Sequence, residues 1–298
     1  MGSATPPSTP TVGAAVPPKP RDEQLDFSGL THPGLVRKQN QDHFLVCTLH
    51  KTARVRATSL PNPELLELPS QRLASVAVVA DGVGSTAGGE TASRAAIETV
   101  AAYATNAMEC FYARDPDDEE AFYDALRVAA TESHDAVVER AKEGGDQKGA
   151  STTLTLAIFV WPQMYILQVG DSRCYRLRGE VLEQLTRDQT VAQDLVDSGI
   201  LPKENLQRSP FAHVLSSSIG GRTQPVVTRV QLGQPRAEAI LLCTDGLTKH
   251  VSDEQIKERL SAMTSSEQAC RALMDDALAG GGTDNITVVV LRAQPSRE

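Results

Sequence analysis

The sequence contains no run of 18 apolar residues, the length that a helix needs to cross a bilayer, and no apolar core of a secretory signal peptide. Aromatic residues make up only 4% of its 298 residues, which leaves few platforms for stacking nucleic-acid bases. Positive charge is also scarce, since 29 Lys and Arg against 38 Asp and Glu give a net charge of −9. That sign is wrong for a surface that binds a polyanion. We therefore expect no nucleic-acid partner, no membrane partner and no passage through the secretory route.

Cysteine and histidine are sparse, and neither shows a binding pattern. An odd number of widely spaced cysteines, mostly within apolar runs, indicates free buried thiols and predicts a reducing, cytoplasmic location. The five are Cys47, Cys110, Cys174, Cys243 and Cys270. None of the six histidines has a spacing typical of a zinc site.

Proline divides the chain unevenly. Residues 1 to about 24 hold six of the 17 prolines and show no hydrophobic period, which predicts a disordered leader. Residues 25–298 show no repeat and no second linker of that kind, so we expect a single domain. Residues from about 49 to 72 are again Pro-containing, with a basic first half, and we expect an inserted loop or extended hairpin there.

Short runs rich in Val, Ile, Leu and Thr predict nine strands. They are Phe44–Cys47, Ala74–Ala80, Thr152–Val160, Met164–Val169, Arg173–Leu177, Val181–Leu185, Val226–Leu232, Ala239–Cys243 and Ile286–Leu291. The three-residue gaps between Thr152 and Leu185 predict an antiparallel meander. Amphipathic patterns predict two long helices and three shorter ones. They are Gly89–Ala107, Glu119–Lys142, Val191–Ser198, Ser252–Leu260 and Ser266–Ala279. Strands cluster apart from helices, so we expect an α+β fold with helices on the outer faces of sheets.

Four aspartates lie beside glycine or asparagine at the ends of predicted strands: Asp81, Asp171, Asp245 and Asp284. An isolated Asp-Gly pair is usually a turn, but the pairs at Asp81 and Asp245 lead into helical sequence instead. If the strands bring these side chains to one rim, the carboxylates must either protonate or hold cations. Oxygen ligands without histidine or cysteine favour magnesium or manganese over zinc.

The order of the motifs resembles that of the metal-dependent Ser/Thr protein phosphatases, the type 2C class, in their bacterial form. Each motif is weak alone, but six occur in the same order and cover the chain from about Phe27 to Leu291. They are Gly34-x-x-Arg37-x-x-Asn40-Gln41-Asp42, Val79-Ala80-Asp81-Gly82, Gly149-Ala150-Ser151-Thr152-Thr153, Val169-Gly170-Asp171-Ser172-Arg173, Thr244-Asp245-Gly246-Leu247 and Asp284-Asn285-Ile286-Thr287.

The resemblance implies a site and a reaction. Two magnesium or manganese ions would be bridged by Asp81, with the Gly82 carbonyl, Asp245 and Asp284 completing their ligands. Asp42 would act through metal-bound water, Arg37 would bind the phosphate, and Asp171 would belong to a third, weaker metal position. The implied reaction is hydrolysis of phosphoserine and phosphothreonine monoesters by direct attack of a metal-bridging hydroxide.

The resemblance also implies a fold and partners. The fold would be a four-layer α-β-β-α sandwich with two central antiparallel sheets, and residues from about 187 to 221 would form a flap over the substrate groove. Phosphorylated Ser/Thr proteins would be the substrates and a Ser/Thr kinase a candidate partner. We expect a monomer.

Two positions depart from the family pattern. Where relatives have a histidine that could act as general acid, this chain has Val83 followed by a stretch ending in Thr86. The leaving group would then be protonated by metal-bound water, by His43 or by nothing. Lys249 stands where relatives commonly have an aspartate of the third metal position, and we expect this lysine either to pair with Asp171 or to point into solvent. The third position is accordingly predicted to be empty or poorly occupied.

Two other classes of function remain as alternatives. A catalytically silent, phosphatase-like module that binds a partner is disfavoured because the named carboxylates are all intact. A calcium-stabilised structural domain is disfavoured because the loops lack the dense Asp/Asn alternation of a calcium loop.

Overall fold

Two antiparallel sheets form the centre of the structure, a computed structural model that describes residues 18–53, 68–84, 86–113, 119–143, 150–232 and 238–293. One sheet has the strand order β1-β11-β10-β7-β8 and the other β2-β3-β5-β6-β9, with β4 paired to β3. The strands are β1 (Leu25–His32), β2 (Asp42–Ala53), β3 (Leu68–Val83), β4 (Ser151–Thr152), β5 (Leu154–Val160), β6 (Gln163–Val169), β7 (Arg173–Arg178), β8 (Val181–Gln184), β9 (Val226–Gln231), β10 (Glu238–Cys243) and β11 (Ile286–Ala293).

Helices cover the outer face of each sheet. The helices of the described residues are α1 (Thr86–Ala113), α2 (Glu119–Glu143), α3 (Val191–Asp197), α4 (Asp245–Thr248), α5 (Asp253–Ser261) and α6 (Ser266–Ala279). The first two pack on the six-stranded sheet, and α4, α5 and α6 on the five-stranded sheet. A third apolar cluster, which includes Ala77, Ile166 and Leu242, lies between the sheets. The predicted α+β, four-layer α-β-β-α arrangement is confirmed.

Small side chains bring α1 close to its sheet. Ala92, Ala95, Ala96 and Val100 recur at helical spacing and are at most 1% exposed. A stripe of that kind removes apolar surface from water while letting the helix axis approach the strands. This close packing sets the entry of α1 directly beside the end of β3, where Asp81 and Gly82 lie.

The predicted meander between Thr152 and Leu185 is wrong at its middle connection. β5 pairs with β6 and β7 pairs with β8, as the short gaps predict. However, β6 pairs onward with β9, whereas β7 pairs with β10 in the other sheet. Residues 170–172 therefore cross from one sheet to the other, and Gly170 permits the crossing with a φ of +102°. The crossing places Asp171 between the two sheets' ends.

The predicted leader and insertion lie partly outside the described residues, at 1–17 and 54–67. Asp22–Gln24 form a 3-10 helix, and the Arg72 guanidinium donates to the Pro20 carbonyl and to Asp22. The chain is therefore packed from Pro20 onward, earlier than the boundary predicted at residue 25. Within the insertion, β2 and β3 continue as paired strands as far as Ala53 and Leu68, which is the extended-hairpin alternative.

Within the described residues, no helix is long and apolar enough to span a membrane. Four of the predicted free cysteines are described and none forms a disulfide. Cys174, Cys243 and Cys270 are buried, and Cys47 is half-buried. Cys110 lies in α1, but its side chain is outside the described part.

Candidate metal centre

The aspartates from the motifs meet at one end of the sandwich. Asp42 begins β2 and is directly opposite Asp81 in the register with β3. Asp245 follows β10 and begins α4, while Asp284 precedes β11, the neighbour of β10. Antiparallel pairing thus brings the end of one strand and the start of the next to the same rim.

Five carboxylates at this rim, the carboxylate cluster, repel one another. Burial raises the pKa of Asp81 well above its ordinary value, and the charges of four other carboxylates raise it further. The four are Asp42, Asp245, Asp171 and Asp284. Burial likewise raises the pKa of Asp171 to about 8, with added repulsion from Asp245 and Asp188. The five carboxylates are therefore near enough to repel one another, and their joint binding of metal ions stays a prediction.

Only one of the two carboxylate oxygens of Asp42 is hydrogen-bonded within the described residues. Its Oδ2 accepts hydrogen bonds from the Thr244 and Thr287 hydroxyls, both at 2.8 Å. Its Oδ1 is buried and has no hydrogen-bond partner in the structure. Burial raises the pKa of Asp42 to about 7 despite the two hydroxyl donors. Both threonines belong to the motifs listed above, but the sequence does not predict that they bind Asp42. The one sequence signal is that each threonine stands in a motif that also contains an aspartate.

The end of β3 packs so closely against neighbouring backbone that only glycine fits at position 82. A Cβ on Gly82 would lie 2.2 Å from the Gly89 carbonyl oxygen and 2.8 Å from that of Gln41. The Asp81 carbonyl accepts from the Thr153 amide and from the Thr152 hydroxyl. The backbone around the Asp-Gly pair is therefore fixed by close contacts that no other residue type allows.

The loop that carries Arg37 is fastened to the loop of Asp284. Asn285, which the sequence analysis gave no role, uses its whole side-chain amide here: Nδ2 donates to the Pro33 and Gln39 carbonyls and Oδ1 accepts from the Gln41 amide. Arg37 itself makes two bonds to Asp284, Nε to Oδ1 at 2.9 Å and Nη2 to Oδ2 at 3.0 Å. Its side chain remains 56% exposed.

Lys249 contradicts both predictions made for it. Its Nζ lies 2.6 Å from Asp245 Oδ2 and 2.7 Å from Asp284 Oδ2, so it neither pairs with Asp171 nor points into solvent. Burial alone would raise the pKa of Asp284, but Lys249 and Arg37 outweigh it and lower the pKa. The sequence could not place Asp284 within reach of this ammonium group because the two residues meet only through the fold.

His43 is not positioned to act on the carboxylate cluster. It follows Asp42 in β2, and successive side chains of a strand point to opposite faces. Its Nδ1 lies 3.0 Å from the Ser93 hydroxyl of α1. Val83 is 42% exposed and offers no proton. Thr86 begins α1, but its side chain is outside the described part. Of the alternatives for protonating the leaving group, His43 is therefore the one that the fold disfavours.

The predicted flap region borders the cluster. It contains α3 and a 3-10 helix, Lys203–Arg208. A bridge between Thr190 and Leu215 closes the region on itself, and a bridge between Ile219 and Thr152 ties it to the body. A pocket opens between this region and the cluster. Its lining includes Asp171, Asp245, Lys249, Gln207 and His213.

The donor set suits a divalent cation, although the carboxylates are not gathered around one point. Among the described residues, no three acidic, histidine or cysteine side chains are arranged to hold a single metal ion. Lys249 and Arg37 hold two of the carboxylates instead. Asp42 Oδ1 and Asp245 Oδ1 are buried oxygens without partners, which calls for a cation or water. Carboxylate oxygens alone fit magnesium or manganese.

Comparison with known proteins assigns the chain to a family. Residues 66–280 match the family model described as protein phosphatase 2C. A serine/threonine protein phosphatase PstP of Mycobacterium tuberculosis is 36% identical over 271 residues, which are 89% of this chain and 44% of the relative. The chain thus spans less than half the length of that relative. The serine/threonine phosphatase stp of Listeria monocytogenes is 30% identical over 224 residues, 72% of this chain and 83% of the relative.

Among solved structures, the catalytic domain of PstP in complex with two manganese ions superposes with a TM-score of 0.68 at 29% identity. The superposition covers 91% of this chain and 99% of that domain. Fold, motif order and sequence identity therefore agree, and the chain belongs to the protein phosphatase 2C family.

Proposed function

We propose that the protein is a metal-dependent Ser/Thr protein phosphatase that hydrolyses phosphoserine and phosphothreonine monoesters of proteins. The observation that carries the proposal is the convergence of five aspartates, two of them with buried unpartnered oxygens, at one rim of the sandwich. A cluster of that charge is costly unless cations offset it. Family membership and the relatives named as Ser/Thr phosphatases support the same activity.

Two magnesium or manganese ions would be held by Asp81, the Gly82 carbonyl, Asp245 and Asp284, with Asp42 acting on them through water. The PstP domain that carries two manganese ions supports this number. When bound, such ions supply an acidified water as nucleophile and neutralise charge on the phosphoryl oxygens. Asp171 would contribute to a third and weaker position.

The chain's own residues bind and orient the substrate. The Arg37 guanidinium presents two parallel donors, which match two phosphate oxygens as well as they match the Asp284 carboxylate. Since the Arg37 side chain is 56% exposed, a phosphate can draw it away from Asp284 at little cost. Thr244 and Thr287 hold Asp42 in place, and Asn285 fixes the loop from which Arg37 extends.

The same proposal extends to the cellular setting. A phosphoprotein substrate requires a Ser/Thr kinase to produce it, so such a kinase is a candidate partner. The unpaired cysteines of the described part support a reducing, cytoplasmic location. Helices of the same chain cover the outer faces of both sheets, which supports a monomer.

The test is hydrolysis of a phosphothreonine peptide by protein stripped of metal and then supplied with manganese. We expect activity with manganese, none with excess chelator, and a loss of about 100-fold or more in Asp245→Asn, because that change removes a charged ligand. Asp275→Asn, on the exposed face of α6, is the matched control and should keep full activity. Equal hydrolysis by the Asp245→Asn variant would refute the proposal, and no hydrolysis by any variant would favour the partner-binding alternative.

A further inference from the structure

Lys249 places a positive charge inside the carboxylate cluster. Its Nζ bridges Asp245 Oδ2 at 2.6 Å and Asp284 Oδ2 at 2.7 Å. The Lys249 side chain is 20% exposed, and the two carboxylates are 14% and 21% exposed. These ion pairs are therefore shielded from water far more than an ordinary surface pair, and solvent and salt screen them less.

The backbone builds this arrangement. Lys249 is the C-cap residue of α4, and its amide donates to the Asp245 carbonyl at 2.8 Å, so the two side chains lie on one face, one helical turn apart. Asp284 reaches the same ammonium from the loop before β11. That loop is held by His250, whose Nε2 accepts from the Thr283 amide at 3.0 Å. The ammonium thus has fixed acceptors on two elements.

An ammonium group and a divalent ion compete for the same oxygens. A carboxylate oxygen within 2.7 Å of Nζ cannot also take a divalent ion in contact without placing two cations side by side. Such neighbours repel in a poorly solvated site. Arg37 opposes metal binding less, since its guanidinium pairs with Asp284 and its side chain is 56% exposed.

We propose that Lys249 is a resident cation of this centre that weakens divalent-ion binding and limits the number of ions bound. The inference rests on the proposed function, because it assumes that Asp245 and Asp284 are metal ligands. Without metal, the ammonium offsets one of the two negative charges, bridges both carboxylates and stabilises the centre. Divalent ions bind as Nζ leaves these oxygens, so the lysine sets the manganese concentration at which the centre becomes occupied.

The direct test is calorimetric titration of manganese into the full, chelator-stripped chain. We expect Lys249→Met to bind manganese at least about tenfold more tightly than the unaltered protein, because the competing charge is gone. Lys249→Arg keeps the charge and should stay within about threefold. Lys257→Met removes a lysine that pairs with Glu180 away from the cluster, and it should change nothing. An unchanged dissociation constant in Lys249→Met would overturn the proposal.

The number of bound ions gives a second readout. Lys249→Asp replaces the ammonium with a carboxylate beside Asp245, and we expect it to retain one more manganese per chain after dialysis, measured by elemental analysis. Thermal unfolding gives a third readout. In chelator, Lys249→Met should have a lower melting temperature than the unaltered protein, and manganese should raise the melting temperature of the variant more. If Lys249→Met does not fold without metal, Lys249→Gln is titrated in its place with the same expectation.

These outcomes separate the two proposals. If the unaltered chain is a manganese-dependent phosphatase while the Lys249 variants match it in affinity and stoichiometry, the inference about Lys249 fails alone. If no variant and no unaltered protein binds manganese, both proposals fail together.

Discussion

Asp42 and Asp81 are opposite each other in the antiparallel register of β2 and β3, so a buried and a half-buried carboxylate face a single rim. Directly opposite like charges normally destabilise a strand pair. Two hydroxyl donors on Asp42 offset part of this cost, and among the described residues no ion pair to Asp42 or Asp81 is formed. A pair of this kind is expected where a site binds cations.

Removal of the Asp81 charge should separate stability from activity. At pH 8 the buried carboxylates are more ionised than at lower pH. In chelator at this pH, Asp81→Asn should raise the free energy of unfolding by about 1–2 kcal/mol, because a source of repulsion is lost. Phosphatase activity with manganese should disappear in the same variant. Denaturant unfolding and the peptide assay measure the two effects, with Asp275→Asn as the control. A destabilised Asp81→Asn protein would contradict the repulsion.

The metal-free protein should lose stability as pH rises. The pKa values of Asp42 and Asp171 are raised by burial to about 7 and about 8, whereas unfolded aspartates titrate near about 3.9. Between these values the folded state holds protons that the unfolded state has released, so the free energy of unfolding falls as pH increases. Melting temperatures in chelator from pH 5 to 9 check this. Saturating manganese should make the melting temperature less dependent on pH. A melting temperature that increases with pH in chelator would contradict this prediction.

Thr244→Val should weaken the support of Asp42. The change is close to isosteric, but it removes one donor to Asp42 Oδ2 and the acceptor for the Thr287 amide. We expect a loss of about 1–3 kcal/mol in stability, since buried polar groups are left unsatisfied. Manganese affinity should also fall. Thr131→Val, on the exposed face of α2, is the control for the substitution itself, and an unaltered melting temperature for Thr244→Val would count against the role assigned to its hydroxyl.

Asn285→Ala should act on substrate binding. The side chain is 4% exposed, and its amide holds three backbone groups of the loop that carries Arg37. Without these bonds the loop is less fixed, and we expect KM for a phosphopeptide to rise about tenfold, with a stability loss of about 1–3 kcal/mol. Gln71→Ala, which removes an exposed side-chain amide near the start of β3, is the control. A KM equal to that of the unaltered protein would show that the loop is positioned by other contacts.

The sequence predicted the elements whose signals are local. The helices predicted from Ser252 and Ser266 are α5 and α6, with Ser252 and Ser265 as their N-caps, and the nine apolar runs mark every described strand except β1 and the two-residue β4. The strand β1 was missed because Leu25–His32 mixes polar residues and glycine with few apolar ones, and its pairing with β11 supplies what the local pattern lacks. The crossing at Gly170 was missed because a three-residue gap fits a hairpin as well as a step between stacked sheets.

The candidate site divides in the same way. The aspartates could be listed from their motifs, and the rim they share followed from strand pairing. The contacts that depend on distant segments could not: Lys249 with Asp284, and Asn285 with the Arg37 loop. Each joins side chains whose meeting depends on the exact packing of one loop on another.

The central claim is that Asp81, Asp245 and Asp284 jointly hold divalent ions. The most direct measurement is anomalous diffraction near the manganese absorption edge from crystals grown with manganese. We predict two strong peaks beside Asp81, with little or no density for a third ion near Asp171. Crystals in which no anomalous peak lies within bonding distance of these three carboxylates would contradict the account.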